Sequence, residues 1–570
     1  MRSVRTTTVY CALGALALGA GALGPTAWAS PPHGTPSHEA AAPPPAPGAH
    51  AAAVPRSAGE AARAEGVALA AARAAARGVT WEKCAEVERL PDPVRCGTVT
   101  VPVDYADPDG ETIELTVSRL EAEGPAENRK GPLVYNPGGP GGNGMLFPLY
   151  SLVLGGTWKK LGDSYDLVGF APRGVGRSAP VSCREPEEYW RAPNHSPRTP
   201  SEEFKQVKNA EAAEYAAGCA QRQGHRLAQL TTPNNARDLE VLRAALGQER
   251  LSYLGVSYGT YIGSVYATLF PDRVRAMVLD SVVDPSPESV WYEANLKQSL
   301  AFEDRWSDWK SWVAEHHGTY RLGRTEKAVQ RSFDKVRDRL DAEPADGRVG
   351  SRELVEAYLD TGYTDDLWAV RAWALAEFRK GNSKPLVDAA AHAPQRAASA
   401  ENGTAVYTTT ECNDARWPRD FARWDRDNSA LAAKAPFITW ENAWLNLPCA
   451  HWPHVQEEPL EVGAEPGALP PVLLLAATGD AATPYEGALE LRRRLPDSVL
   501  VTERDAGTHG IGGGANACVN HHLERYLLED LAPARDTACA GRPAPEPVYG
   551  QSRTRAMPHA LTGRPLGAVR

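Results

Sequence analysis

The sequence predicts an α/β architecture in which a mostly parallel central sheet is interrupted by an inserted helical cap. Three observations predict it. Short apolar runs of strand length alternate with helical stretches on both sides of a long interruption. That interruption, nearly 190 residues between the sixth and seventh strand candidates, is helical in pattern. A Gly-x-Ser-x-Gly pentapeptide, Gly255-Val256-Ser257-Tyr258-Gly259, stands where a strand turns into a helix.

Taken in order, the chain opens with a secretory signal over residues 1–29. Arg2 and Arg5 give the positive start, Val9 to Leu23 the apolar stretch, and Ala27-Trp28-Ala29 a small-x-small cleavage site. The stretch is short and broken by glycine, which argues against a membrane anchor. Residues 30 to about 56 are rich in Pro, Ala and His and cannot build a core. With the Ala-rich helical pattern of Glu60 to Arg77 they make a linker or pro-segment, 30–78.

Strand candidates follow at 98–103 and 112–117, which alternate and suit an antiparallel edge, and then at 132–135, 165–170 and 250–254. The next are 274–279, 471–476 and 498–502, short apolar runs suited to a parallel sheet covered by helices. The core is thus expected in two parts, 79–284 and 466–540, with the cap at 285–465. The cap holds eleven of the fifteen tryptophans, among them Trp291, Trp306, Trp309, Trp312, Trp368 and Trp373, which are expected mainly to fill its interior. After Gly541 a Pro/Arg-rich tail is expected.

Charge and cysteine usage narrow the function classes. A formal net charge of −10 argues against nucleic acid or an anionic membrane as the main partner. Apart from Cys11 in the signal there are eight cysteines, an even number that suits four disulfides in an exported chain. Each adjacent pair falls within one local region, so sequential pairing is expected. No C-x-x-C spacing supports a metal cluster, and no metal or cofactor is expected.

A serine lifted on a strand-to-helix turn needs small neighbours, here Gly255 and Gly259, and a base oriented by an acid. Asp480 follows the next-to-last strand, in Thr478-Gly-Asp-Ala-Ala-Thr483-Pro484-Tyr-Glu486, where Thr483 and Glu486 are placed to form a capping box. His509 follows the last strand, between glycines on either side of Thr508-His509. The order Ser257, Asp480, His509 is that of an α/β-hydrolase. Asp280 and Asp284, just after the sixth strand, are the competing acids. Oxyanion donors are expected at the amides of Gly139, with Gly138 as fallback, and of Tyr258. No Gly-Lys-Ser/Thr follows the glycine run 138–142, so a phosphate loop is not indicated.

Five segments resemble the secreted tripeptidyl aminopeptidases of the prolyl-aminopeptidase-like α/β-hydrolases: 136–142, 172–178, 255–261, 479–484 and 507–510. Together they run across residues 80 to 540. The resemblance implies a triad at Ser257, Asp480 and His509, an oxyanion loop at Gly138-Gly139, and release of short peptides, expected to be tripeptides, from free N-termini. One departure is Ala171, where relatives often carry an acid, which leaves Arg173 without an obvious local partner. Recognition of an N-terminal ammonium calls for a carboxylate at fixed distance from the serine, and Glu411 and Asp414 are the candidates. A secreted carboxylesterase or lipase-like hydrolase with the same triad is the alternative.

Overall fold

The computed structural model describes residues 58–454 and 458–548; the expected signal peptide and most of the linker lie outside them. Ten strands form one sheet: β1 (Glu82–Lys83), β2 (Arg95–Pro102), β3 (Thr112–Leu120), β4 (Pro132–Asn136), β5 (Asp166–Phe170), β6 (Leu251–Val256), β7 (Val274–Asp280), β8 (Val472–Ala477), β9 (Ser498–Arg504) and β10 (Thr537–Ala540). Their spatial order is β1-β2-β3-β5-β4-β6-β7-β8-β9-β10. The alternating β2 and β3 pair antiparallel at one edge, and every pairing from β5 onward is parallel. Strands β6 and β8 are buried at every residue, which is why they read as unbroken apolar runs. This is the α/β-hydrolase arrangement, with the serine after β6 at the centre of the sheet.

Between Asp280 and Val472 the chain leaves the sheet and forms the helical cap. A separate apolar cluster fills part of it, with Trp306 stacked 4.6 Å from Trp309 and 4.2 Å from Phe437, while Trp417, Trp424 and Trp452 join the cluster of the sheet core. The tryptophans there serve packing as expected, but Trp291 lies apart, on the wall of the cleft described below.

The four disulfides pair sequentially: Cys84–Cys96, Cys183–Cys219, Cys412–Cys449 and Cys518–Cys539. No helix among the described residues is long and apolar enough to cross a membrane.

Three places differ from the sequence reading. Arg173 is fully buried and paired bidentately with Asp238, at 2.7 and 2.6 Å, while Tyr105 donates to the same carboxylate at 2.8 Å. Its partner lies 65 residues downstream on the helix Thr232–Ala245, out of reach of any local pattern. Within the stretch read as a linker, the helix Ala58–Arg77 packs on the core, so closely that a Cβ on Gly66 would sit 1.8 Å from the carbonyl of Tyr105. Residues 541–548, read as the start of a tail, cross to the cap: Arg542 pairs with Asp366 at 3.0 Å and Trp312 donates to the carbonyl of Pro545.

Candidate active site

Ser257 occupies the turn between β6 and the helix Tyr258–Leu269, with φ +59°, a left-handed conformation that side chains other than glycine adopt at a cost. The strain is held by contacts on both sides. The Ser257 amide donates to the carbonyl of Asp280 at 2.9 Å, and its carbonyl accepts from the Thr260 hydroxyl at 2.6 Å. A Cβ on Gly259 would stand 2.6 Å from the carbonyl of Asn136, so the second glycine of the pentapeptide is required by close approach of β4.

The segment after β4 comes within contact of the serine. A Cβ on Gly138 would lie 2.8 Å from the Cβ of Ser257, and its φ of +92° already favours glycine. The amide of Gly138 donates to Asn136 Oδ1 at 2.8 Å, which removes it as the fallback donor. Gly139 lines the cleft beside Ser257 and Tyr258. The amide of Tyr258 is the first of its helix, where no carbonyl of that helix can accept it. The Tyr258 amide and its helix N-terminus therefore adjoin Ser257, with Gly139 on the same cleft wall.

The candidate acid and base are brought together. His509 Nδ1 lies 2.8 Å from Asp480 Oδ2 and 3.0 Å from Oδ1, both residues buried. Asp480 Oδ1 also accepts the amides of Ala482 and Thr483, at 3.0 and 3.1 Å, and Oδ2 accepts the Thr483 hydroxyl at 3.1 Å. That use of Thr483 corrects the capping-box expectation. The helix Tyr485–Arg494 begins without a side-chain cap, because the hydroxyl meant for it is turned to the carboxylate. His509 Nε2 is buried and makes no hydrogen bond among the described residues, leaving its lone pair available. The cap reaches the base as well: the carbonyl of Tyr363 accepts the His509 amide at 2.8 Å, and its ring stands edge-on at 5.4 Å.

Neither competing acid contacts the histidine ring. Asp280 is engaged by the amides of Ile511 and Gly512. Asp284 accepts from Ser286 and pairs with Lys297 at 3.3 Å.

A cleft with about 160 Å³ of water-accessible space opens between core and cap at Ser257. One face of the helix Ser351–Tyr363 lines it with Arg352, Val355, Glu356, Leu359 and Tyr363. Over those eleven steps a helix rises about 16 Å, whereas three extended residues span roughly 10 Å. Ser289 and Trp291 line the cleft, and Ser289 Oγ and Trp291 Nε1 are buried without a hydrogen bond among the described residues.

The two candidate ammonium ligands separate. Both sit in the helix Ala397–Asp414, and the Cys412–Cys449 bridge lies between them. Asp414 accepts the amide and hydroxyl of Thr232 at 2.7 and 2.5 Å and is not part of the cleft. Glu411 lines the cleft, with Asn295 donating to it at 3.5 Å and Tyr407 bonded to it. Burial without a cation beside it pushes its carboxyl up to about 8.

The sequence offered no signal for Tyr363, Ser289 or the anchoring role of Asp280, each of which depends on segments distant along the chain. Thr483 could have been found, since a hydroxyl three residues after an acid can close onto it.

Comparison with known proteins gives a consistent picture. A family model described as TAP-like protein matches residues 435–539, which include Asp480 and His509. The chain is 50% identical over 489 residues to a tripeptidyl aminopeptidase of Streptomyces lividans, covering 85% of this chain and 90% of that protein. It is 30% identical over 481 residues to serine protease Hip1 of Mycobacterium tuberculosis, covering 81% and 91%. It is 29% identical over 484 residues to carboxylesterase B of the same organism, covering 81% and 90%.

Proposed function

The chain belongs to the tripeptidyl aminopeptidase family of α/β-hydrolases and is a serine peptidase, and from that premise we propose that Ser257, Asp480 and His509 release tripeptides from free N-termini. Ser257 Oγ attacks the carbonyl of the third residue while His509 Nε2 takes its proton. Asp480 keeps the other proton on Nδ1 and stabilises the imidazolium that forms. The amides of Gly139 and Tyr258 receive the oxyanion. His509 then returns the proton to the leaving amine, and water repeats the sequence on the acyl-enzyme.

The observation that carries the exopeptidase reading is the balance of charge in the cleft. Of its carboxylates, Asp284 is paired with Lys297, Glu356 with Arg352 and His392, and Glu441 with Arg352. Glu486 is exposed. Glu411 alone among these is buried with no cation against it among the described residues. An N-terminal ammonium supplies the missing partner, and Glu411 is assigned as its ligand.

Two consequences follow for binding. Glu411→Gln removes a charge-assisted contact, so KM for free-amine peptides is expected to rise about 10- to 100-fold, with small esters unaffected; equal effects on both would remove the assignment. The raised pKa adds a pH dependence. Below about 8 the free enzyme carries Glu411 protonated, and binding an ammonium must expel that proton. KM for free-amine substrates should therefore fall from pH 6 toward 8, until the substrate's own amine loses its charge at about 8. A flat profile for the wild type would contradict the role.

Four disulfides suit an oxidising compartment, and with the N-terminal signal pattern they support export from the cell. The carboxylesterase relative keeps ester cleavage open as a side reaction of the same triad, but an unpaired buried carboxylate serves no purpose for an uncharged ester.

A further inference from the structure

His509 sits on a segment with few side chains to hold it, since glycine occupies positions 507, 510, 512, 513 and 514. Such a segment loses much backbone freedom on folding, so fixing it takes contacts to its main chain. Two consecutive side chains at the end of β7 supply them. Asp280 Oδ1 accepts the amide of Ile511 at 3.1 Å, and Oδ2 that of Gly512 at 2.7 Å. Ser281 Oγ accepts the amide of Gly510 at 2.8 Å. The three amides that follow His509 are thus all received by Asp280 and Ser281. On the other side, the main-chain carbonyl of Asp280 accepts the amide of Ser257.

Resting on the reading of His509 as the base, we propose that Asp280 is a positioning residue which sets the base against the nucleophile, its main chain holding Ser257 and its carboxylate holding the loop of His509. A packing role would be met more cheaply by an apolar residue, because Asp280 is 1% exposed and no lysine or arginine pairs with it among the described residues. Apart from the Ser281 hydroxyl at 3.5 Å, what its two oxygens meet is the loop.

The charged and titratable groups around it are His509 and Asp480 from the loops after β9 and β8, and Tyr135 from β4. Burial pushes the Asp280 carboxyl up to about 6, against the opposing pull of the two amides and of His509. A proton on either oxygen would face an N–H already pointing at it, so in acid the loop loses an acceptor. Protonation of Asp280 then slows turnover. In the wild type, kcat should carry a loss centred near pH 6 that is traceable to Asp280.

Asp280→Asn keeps the shape but, like the protonated acid, offers one acceptor and a donor that opposes an amide. Steady-state kinetics with a free-amine chromogenic tripeptide, together with the rate of labelling by a fluorophosphonate, test the proposal. Asp280→Asn is expected to lower kcat about 10- to 100-fold with KM within about twofold, as a small misplacement of a catalytic group would. The loss of kcat centred near pH 6 should be absent from its pH profile. Ser281→Ala, which frees the amide of Gly510 and removes the 3.5 Å contact of the Ser281 hydroxyl to Asp280 Oδ1, should lower kcat and the labelling rate by about 3- to 10-fold. A folded Asp280→Asn enzyme with wild-type kcat, or with the wild-type loss near pH 6, would overturn the proposal. If that variant does not fold, unchanged kcat and labelling in Ser281→Ala overturns it. Turnover or labelling surviving in Ser257→Ala would instead sink the underlying assignment of nucleophile and base.

Discussion

Ser257→Ala is expected to lower kcat by about 10⁵- to 10⁶-fold, the scale on which removal of a serine nucleophile acts when base and oxyanion donors remain. The change deletes one oxygen and leaves the rest of the elbow in place. The contacts that hold the turn are made by the main chain of residue 257, to Asp280 and Thr260, and by the glycines packed around it. The variant should therefore unfold at nearly the wild-type temperature and still bind free-amine peptides, because Glu411 is untouched. Loss of turnover with an intact thermal transition identifies the nucleophile. Activity within a few-fold of wild type would mean that another group attacks the carbonyl.

Asp480→Asn is expected to cost roughly 10⁴-fold in kcat with little change in KM. The structure gives the reason atom by atom. Oδ1 receives two backbone amides, from Ala482 and Thr483, and only an oxygen can remain there. The new amide nitrogen must then take the place of Oδ2, 2.8 Å from His509 Nδ1 and 3.1 Å from the Thr483 hydroxyl. A donor now faces Nδ1, so the ring moves its proton to Nε2, where the serine needs a lone pair. The geometry survives and the tautomer is wrong. Because the loss comes from the tautomer, labelling by a fluorophosphonate should slow in parallel with turnover. A variant that turned over normally would return Asp280 or Asp284 to consideration as the acid.

The proposed triad was legible in the sequence because each member sits at a strand end. Strand-length apolar runs at 250–254, 471–476 and 498–502 placed Ser257, Asp480 and His509 on loops after the carboxyl ends of the parallel strands β6, β8 and β9. The disulfide pairs were legible for a related reason, since every bridge closes within 12 to 37 residues. Local signals failed where a distant group competes. Thr483 and Glu486 fit a capping box, but the Asp480 carboxylate, buried beside them, claims the hydroxyl. Arg173 seemed unpartnered because Asp238 approaches it from a separate helix.

The pair Glu411 and Asp414 shows the same limit from the functional side. Three residues apart on one helix, they look equivalent in sequence. Packing against Thr232 ties up one and leaves the other on the cleft. The two shortest strands, β1 with two residues and β10 with four, carry too little pattern to be seen at all.

The most direct test of the central claim uses one chromogenic tripeptide in free and N-acetylated forms, beside a short-chain ester, with the purified enzyme. The account predicts cleavage of the free peptide, released as an intact tripeptide, and strong discrimination against the acetylated form, which has no ammonium for Glu411. Equal cleavage of the two peptides would contradict recognition of a free N-terminus, and cleavage of the ester alone would contradict the peptidase.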